Sequence, residues 1–492
     1  MEATLRQSPP PSYIFSAMDQ AARREYKLRC LVFKHDKISA AACVESFRQL
    51  YFGHRAVMDR LPFLAHRTRP ADERASKLEL IDDGNDGGPR DLRVKVNPCE
   101  EYDRLCPDDL GVRPRRIGLE LFKLPTADED EAQGIPVFTA RLTYIKNGVV
   151  LGLAFHGSLM DERYIFMVLK TFASGDSCYA SGPQDEYTDI TEYDFCESDK
   201  FSSNEVAQTI EEGCIDASSI ITFRADTIRS LTTEVRAALE GGGGNSSSRI
   251  TAVDCISALL WTSMVGVRWR WATWTYTLPN SRHKSNVRDK LEPPLGGDFF
   301  GNAVNSAMTT TKLVNLLPSS NRQTGEISNE SVTKIITCAA RLIREAVDGV
   351  TDQSARARLQ LLQRYNVGDN DDVSSRSPQW ACRALLRGKD PHGDGVDFVS
   401  LADMGGDLRF HMSNQGGNDE GEEVDFDPGK QYQLWSAETD GSFVLLPRRG
   451  GSDENAESDW VVQAYIPAVL LQAVRYRLYL WRTEGGFGGP LS

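Results

Sequence analysis

A chain of 492 residues with 40% hydrophobic and 9% aromatic side chains has material for two packed domains of roughly 200–250 residues each. Its net charge of −14 and the lack of any basic block argue against nucleic acid or an anionic membrane surface as partner. Ten cysteines without a CxxC pair suit reduced thiols in a cytoplasmic protein and exclude a disulfide framework or a zinc site.

In chain order, Met1–Ser12 is polar and proline-rich and has no apolar run of the kind a secretory signal needs. The spacing of Ala41, Val44, Phe47 and Leu50 predicts a helix over 41–51. Residues 137–145 alternate as a strand, with Phe138, Ala140, Leu142 and Tyr144 on one side. Asn147-Gly148 then predicts a tight hairpin turn, because both residues tolerate positive φ. Residues 149–155 are almost continuously apolar, as in a strand covered on both faces. Beyond His156 the period becomes helical, and Ile165, Val168, Leu169 and Phe172 share a face.

Ser174 to about Ile215 is polar and aperiodic and is expected to cross between domains. The expected boundaries are 1–195 for the first domain, 196–218 for the linker and 219–492 for the second. Gly241–Ser248 (GGGGNSSS) is a flexible loop. Helices are predicted from Ala252 to about Val267 and from about Ser331 to Ala346, the latter with Ile335, Ala339, Leu342 and Ala346 inward. Asn414–Glu423 and Gly450–Ser458 look like solvated insertions. A strand at Trp460–Ile466 and a helix at Ala468–Leu480 close the chain. The apolar segments at 149–155 and 256–267 are too short to span a bilayer.

Residues 151–173 read LGLAFHGSLMDERYIFMVLKTFA. A buried strand ends at His156 and Gly157, three residues follow, then Asp161 and a helix. This resembles, without a gap, the HHxxxDG region of fungal BAHD-type acyltransferases. The second histidine falls on Gly157, and the closing glycine has become Glu162. Further segments resemble the family in the same order. They are PSYIFSAMDQ (11–20), RLPFLAHRTR (60–69), TAVDCISALLWTSMVGVR (251–268), EPPLGGDFFGNAV (292–304), VDFDPGK (424–430) and DGSFVLLPR (440–448). VDFDPGK keeps Asp425, Phe426, Gly429 and Lys430 of the family's DFGWGKP and departs at Asp427 and Pro428. The resemblance implies an α/β fold of two chloramphenicol-acetyltransferase-like domains, with mixed sheets and a channel at their interface.

It also implies a chemistry. A substrate hydroxyl attacks an acyl thioester while a base removes its proton, and histidine suits that task because its pKa lies near working pH. In the family the base is the second histidine, which Gly157 replaces at what would be the channel centre. The motif aspartate holds local structure there, typically by pairing with an arginine of the second domain. Here this gives Asp161, with Arg282 as the expected partner. Asn302 is expected to order the channel wall, and Asp425 belongs to the structural motif.

Two residues remain as candidate catalytic bases. His156 would have to be re-aimed by a local bulge, since strand alternation turns it away from position 157 and toward a core. Glu162 would need a raised pKa, or is otherwise a solvated residue at a helix start. The other histidines (35, 54, 66, 283, 392 and 411) lie in polar or loop-like contexts. Trp269, Trp271 and Trp274 either pack in the core or line an apolar pocket. No phosphate loop and no metal-ligand cluster stands out.

The function expected from the resemblance is acyl transfer in specialised metabolism, from an acyl-CoA cosubstrate to a hydroxyl of a polyketide or terpenoid, by a monomer with no bound cofactor. The alternative keeps the channel for a non-acylating cyclase of Diels-Alderase type, which needs restriction of the substrate and no general base. A third reading is an inactive binding protein.

Overall fold

The computed structural model describes residues 13–14, 18–19, 22, 26–34, 40–70, 78–81, 92–101, 105, 121–122, 124, 134–174, 219–240, 249–271, 279–295, 301–317, 329–366, 395–408, 410–413, 423–426, 430–434, 441–466 and 468–484. The expected linker 196–218, the glycine-rich loop 241–248, the insertion 414–422, His35, His392 and Trp274 lie outside the described residues. So do the side chains of Trp269, Trp271, His411 and Asp425.

The first part of the chain runs β1 (Tyr13–Ile14), β2 (Tyr26–Lys34), α1 (Ala40–Arg60), β3 (Arg67–Pro70), β4 (Leu78–Ile81), β5 (Arg93–Glu101), β6 (Ile135–Pro136), β7 (Phe138–Lys146), β8 (Gly148–His156) and α2 (Glu162–Ser174). The second runs β9 (Ser219–Phe223), α3 (Ala225–Glu240), α4 (Ala252–Trp271), β10 (Asn280–Asn286), β11 (Val304–Thr310), α5 (Asn329–Asp348), α6 (Asp352–Asn366), β12 (Val396–Ser400), β13 (Phe410–Ser413), β14 (Glu423–Phe426), β15 (Lys430–Leu434), β16 (Ser442–Leu445), β17 (Trp460–Tyr465) and α7 (Ala468–Glu484).

Two mixed sheets dominate. The first has strand order β15-β2-β8-β7-β5 and the second β11-β10-β12-β16-β17-β9. The β7–β8 hairpin closes through Asn147 at φ 59°, the left-handed conformation that asparagine tolerates. Phe138, Ala140, Leu142 and Tyr144 pack with Leu151, Leu153 and Phe155 of β8 and with Ile165, Val168, Leu169 and Phe172 of α2, as their spacing predicts. Helix α1 is longer than its apolar spacing suggested.

Strand β8 is buried along its whole length. Its other face carries Val150 and Ala154, which join Leu28, Cys30 and Val32 of β2 and Val399, Val444 and Tyr465 of the second sheet in a middle layer. A Cβ on Gly152 would stand 2.0 Å from the Leu121 carbonyl oxygen, so only glycine lets that segment lie against the strand. One strand breaks the order of the chain. β15 pairs antiparallel with β2, Lys430 opposite Val32 and Leu434 opposite Leu28.

Helices α3, α4, α5 and α7 cover one face of the second sheet and share its core with Phe398, Phe443 and Trp460. The buried residues of α5 include Val332, Ile335, Ile336, Ala339, Ala340 and Ile343, so Ile335 and Ala339 point inward as expected, whereas Leu342 and Ala346 are only half-buried. The buried face is wider than the expected stripe, because α5 packs against both α3 and α4.

Residues 450–458 face solvent, as expected, yet are held from beneath by one buried side chain. Arg448, buried and 4.1 Å above the Trp460 ring, donates to the carbonyls of Gly451, Asp453, Ala456 and Ser458. One guanidinium thus organises the whole loop, because five fixed donors can serve several acceptors at once. No helix among the described residues is long and apolar enough to cross a membrane.

Candidate functional site

The candidate site is the turn that joins β8 to α2. Asp161 caps the helix, its Oδ1 accepting the Tyr164 backbone N–H at 3.0 Å, which satisfies one of the open donors of the first turn. Its Oδ2 accepts from the Ala303 backbone N–H at 2.9 Å and from Arg288 Nη1 at 2.6 Å. Arg288 also donates to the Gly301 carbonyl at 2.9 Å.

This overturns the expected pairing. Arg282 binds Asp397 at 2.7 Å, its neighbour across the parallel β10–β12 pairing. Arg288 sits in the single helical turn after β10, which brings its guanidinium under the motif turn. The two arginines lie six positions apart, and the strand-to-turn geometry decides between them.

Asn302 fastens the other side of the turn. Its Nδ2 donates to the Ser158 carbonyl at 2.6 Å and the Gly157 carbonyl at 3.3 Å. Asp19, fully buried, accepts from the Asn302 backbone N–H at 2.7 Å and from Nδ2 at 3.1 Å. Asn302 therefore holds the turn through two of its carbonyls. Asp19 was quoted within a family-like segment but not named as a site residue.

Glu162 is neither solvated nor poised as a base. It is buried, ion-paired with Arg29 of β2, and 3.6 Å from Lys27 Nζ. Burial pushes its carboxyl up, but Arg29 foremost, then Lys27 and Lys284, outweigh this and hold it below the usual carboxylate range. A carboxylate so stabilised is a poor proton acceptor. Lys27 Nζ also donates to the Met160 carbonyl at 2.7 Å. Neither Lys27 nor Arg29 was singled out from the sequence. The only local sign was a carboxylate where the family has glycine.

His156 is 1% exposed and ends β8 opposite Tyr26, whose ring meets it edge-on at 5.8 Å and 88°. Its backbone N–H donates to Val137 O at 2.8 Å, and its carbonyl accepts from Leu159 at 3.1 Å. The alternation of β8 sets it on the side of Val150 and Ala154, which faces the second sheet. His156 thus faces a core, as expected, and that core is the layer between the two sheets.

Two histidines expected in polar contexts are core residues. His54 of α1 lies between Phe138 and Phe172 at 6.1 and 6.2 Å, and burial lowers its pKa to about 4. His283 stacks on Phe398 at 5.0 Å and bonds Ser281 Oγ at 2.9 Å, and burial, with Arg344 nearby, lowers its pKa to about 3. Neither is placed at the turn. No group of His, Cys, Asp or Glu among the described residues is arranged to hold a metal ion.

The site thus joins His156, Gly157, Asp161, Glu162 and Asn302, and leaves Arg282 on Asp397. A model of the transferase family matches residues 114–374, more than half of the chain. The acyltransferase easC of Emericella nidulans is 22% identical over 377 residues, covering 70% of this chain and 75% of the relative. Trichothecene 8-O-acetyltransferase of Fusarium sporotrichioides is 23% identical over 473 residues, covering 86% and 88%. In fold, the chain resembles F. graminearum TRI101 complexed with coenzyme A and T-2 mycotoxin. The TM-score is 0.63 at 12% identity, over 94% of this chain and 97% of that one. Vinorine synthase gives 0.53 at 12% identity, over 95% and 94%.

Proposed function

Since this chain belongs to the transferase family, the BAHD acyltransferases, we propose that it transfers an acyl group from an acyl-CoA to a hydroxyl of a polyketide or terpenoid in fungal specialised metabolism. The observation that carries this reading is the retained frame. Asp161 is held by Arg288 and the Ala303 backbone, and Asn302 by Asp19, around the turn where the family places its reacting centre. A structural neighbour complexed with coenzyme A supports an acyl-CoA cosubstrate. We place the reaction between two domains, 1–195 and 219–492, joined by 196–218, in a monomer.

Gly157 supplies no base, and Glu162 is committed to Arg29. His156 is the imidazole left in the motif. Catalysis then rests mainly on holding thioester and hydroxyl side by side, which alone contributes ~7–11 kcal/mol in favourable cases. The test is incubation of the purified protein with acetyl-CoA and a panel of hydroxylated polyketides and terpenoids, following thiol release and product mass. Failure to bind any acyl-CoA overturns the reading.

The same absence of a free carboxylate or imidazole at position 157 favours one other use of the frame, a cyclase that folds a polyene and moves no acyl group. It predicts product formation without coenzyme A.

A further inference from the structure

The turn between β8 and α2 is gripped from two sides. Asn302 Nδ2 draws in the carbonyls of Gly157 and Ser158, and Lys27 Nζ takes that of Met160. In a trans peptide the N–H points opposite to the carbonyl. With the Gly157 carbonyl turned to Asn302, the Ser158 N–H is aimed away from it. The Ser158 hydroxyl belongs to the same turn. It is fully buried, and no described residue hydrogen-bonds it. A buried hydroxyl without a partner is destabilising, and native proteins keep few of them. This one stands beside the position from which the base has been lost.

We propose that Ser158 donates hydrogen bonds, from its hydroxyl and its backbone N–H, to the acyl carbonyl oxygen as that oxygen gains negative charge. The assignment rests on the acyl-transfer reading. In the step itself the acceptor hydroxyl oxygen adds to the thioester carbon, and the C=O electron pair moves onto the oxygen that Ser158 faces. The pair then returns as the C–S bond breaks, and the hydroxyl proton ends on the coenzyme A thiol. Donors fixed in advance where charge develops assist such a step without any base. The grip of Asn302 and Lys27 is what fixes them.

The experiment uses Ser158→Ala and Ser158→Cys in the full chain. Removing an oxygen that has no hydrogen-bond partner among the described residues should leave the melting temperature unchanged or raised, so loss of folding does not obscure the result. The expected outcome is a fall in kcat of about 10²–10³-fold for the alanine variant, with little change in KM for acyl-CoA and an intermediate fall for cysteine. A second readout is the infrared carbonyl stretch of bound acetyl-CoA labelled with carbon-13. It should shift to lower frequency in the wild type and lose that shift in Ser158→Ala.

Equal turnover by wild type and Ser158→Ala, or an identical carbonyl stretch in both, overturns the assignment and leaves acyl transfer standing. A wild-type protein that shifts the carbonyl but acylates no acceptor overturns acyl transfer and upholds the hydrogen bond. A protein that binds no acetyl-CoA overturns both.

Discussion

Asp161 and Arg288 stand 127 positions apart in the chain and 2.6 Å apart in space, with 1% and 3% of their side chains exposed. Removing either partner strands a buried charge, at a cost of ~3–5 kcal/mol. Asp161→Ala and Arg288→Ala should each reduce soluble yield and lower the denaturation midpoint. Arg282→Ala should cost only about 1 kcal/mol or less, because the Arg282–Asp397 pair keeps contact with solvent. Chemical denaturation of the three variants checks the ranking, and equal losses for Arg282 and Arg288 would contradict it.

Glu162→Ala should also destabilise, by a similar ~3–5 kcal/mol, because it leaves Arg29 buried without its carboxylate. Its effect on catalysis should follow stability alone. A pH–rate profile that loses an ionisation in Glu162→Gln, at unchanged melting temperature, would show instead that the carboxylate takes part in the reaction.

Gly157→His separates the two functional readings. An imidazole restored at this position should raise acyl transfer on the order of 10²–10⁴-fold if the chain is a transferase lacking its base. If the native product arises by cyclisation, the same side chain fills space that the substrate needs, and product formation should drop. Thiol release and product mass from one preparation read both outcomes.

Stability should fall as the solution is acidified from about pH 6.5 toward 4. His54 has a folded pKa of about 4 against ~6.5 when unfolded, so the unfolded chain binds the extra proton in this window and is favoured by it. The stabilisation is fully present above pH 6.5 and disappears as pH drops through the folded value, amounting to roughly 3 kcal/mol for this group. His283 adds to the same slope and extends it to about pH 3. Denaturation curves collected across this range test the sign, and His54→Leu should flatten the slope.

Gly152→Ala should destabilise by about 1–3 kcal/mol, since the new methyl group meets the Leu121 carbonyl at 2.0 Å. A melting temperature equal to wild type would show that the segment at Leu121 moves aside without penalty.

The β7–β8 hairpin and the inward face of α2 were legible in the sequence because short-range periodicity and one Asn-Gly turn determine them. Asp161 was legible through the resemblance. Its partner was not, because Arg282 and Arg288 are six positions apart, and only the turn after β10 shows which of them reaches the motif. Glu162 was misread for a similar reason. Its environment is set by Arg29 and Lys27 on a strand far earlier in the chain, and no local pattern announces that contact. The burial of His156 was legible from strand alternation, but not which core receives it, because β8 is covered on both faces.

The pairing of β15 with β2 has a consequence for synthesis. Strand β2 leaves the ribosome well before residues 430–434, which form the neighbour that covers its outer edge. Until then the nascent sheet exposes a row of unpaired amides and carbonyls, which is a template for contact with other chains. Closing so long a loop is slow in folding terms. A fragment cut between the expected domains would carry that open edge permanently, although each half has a core of its own.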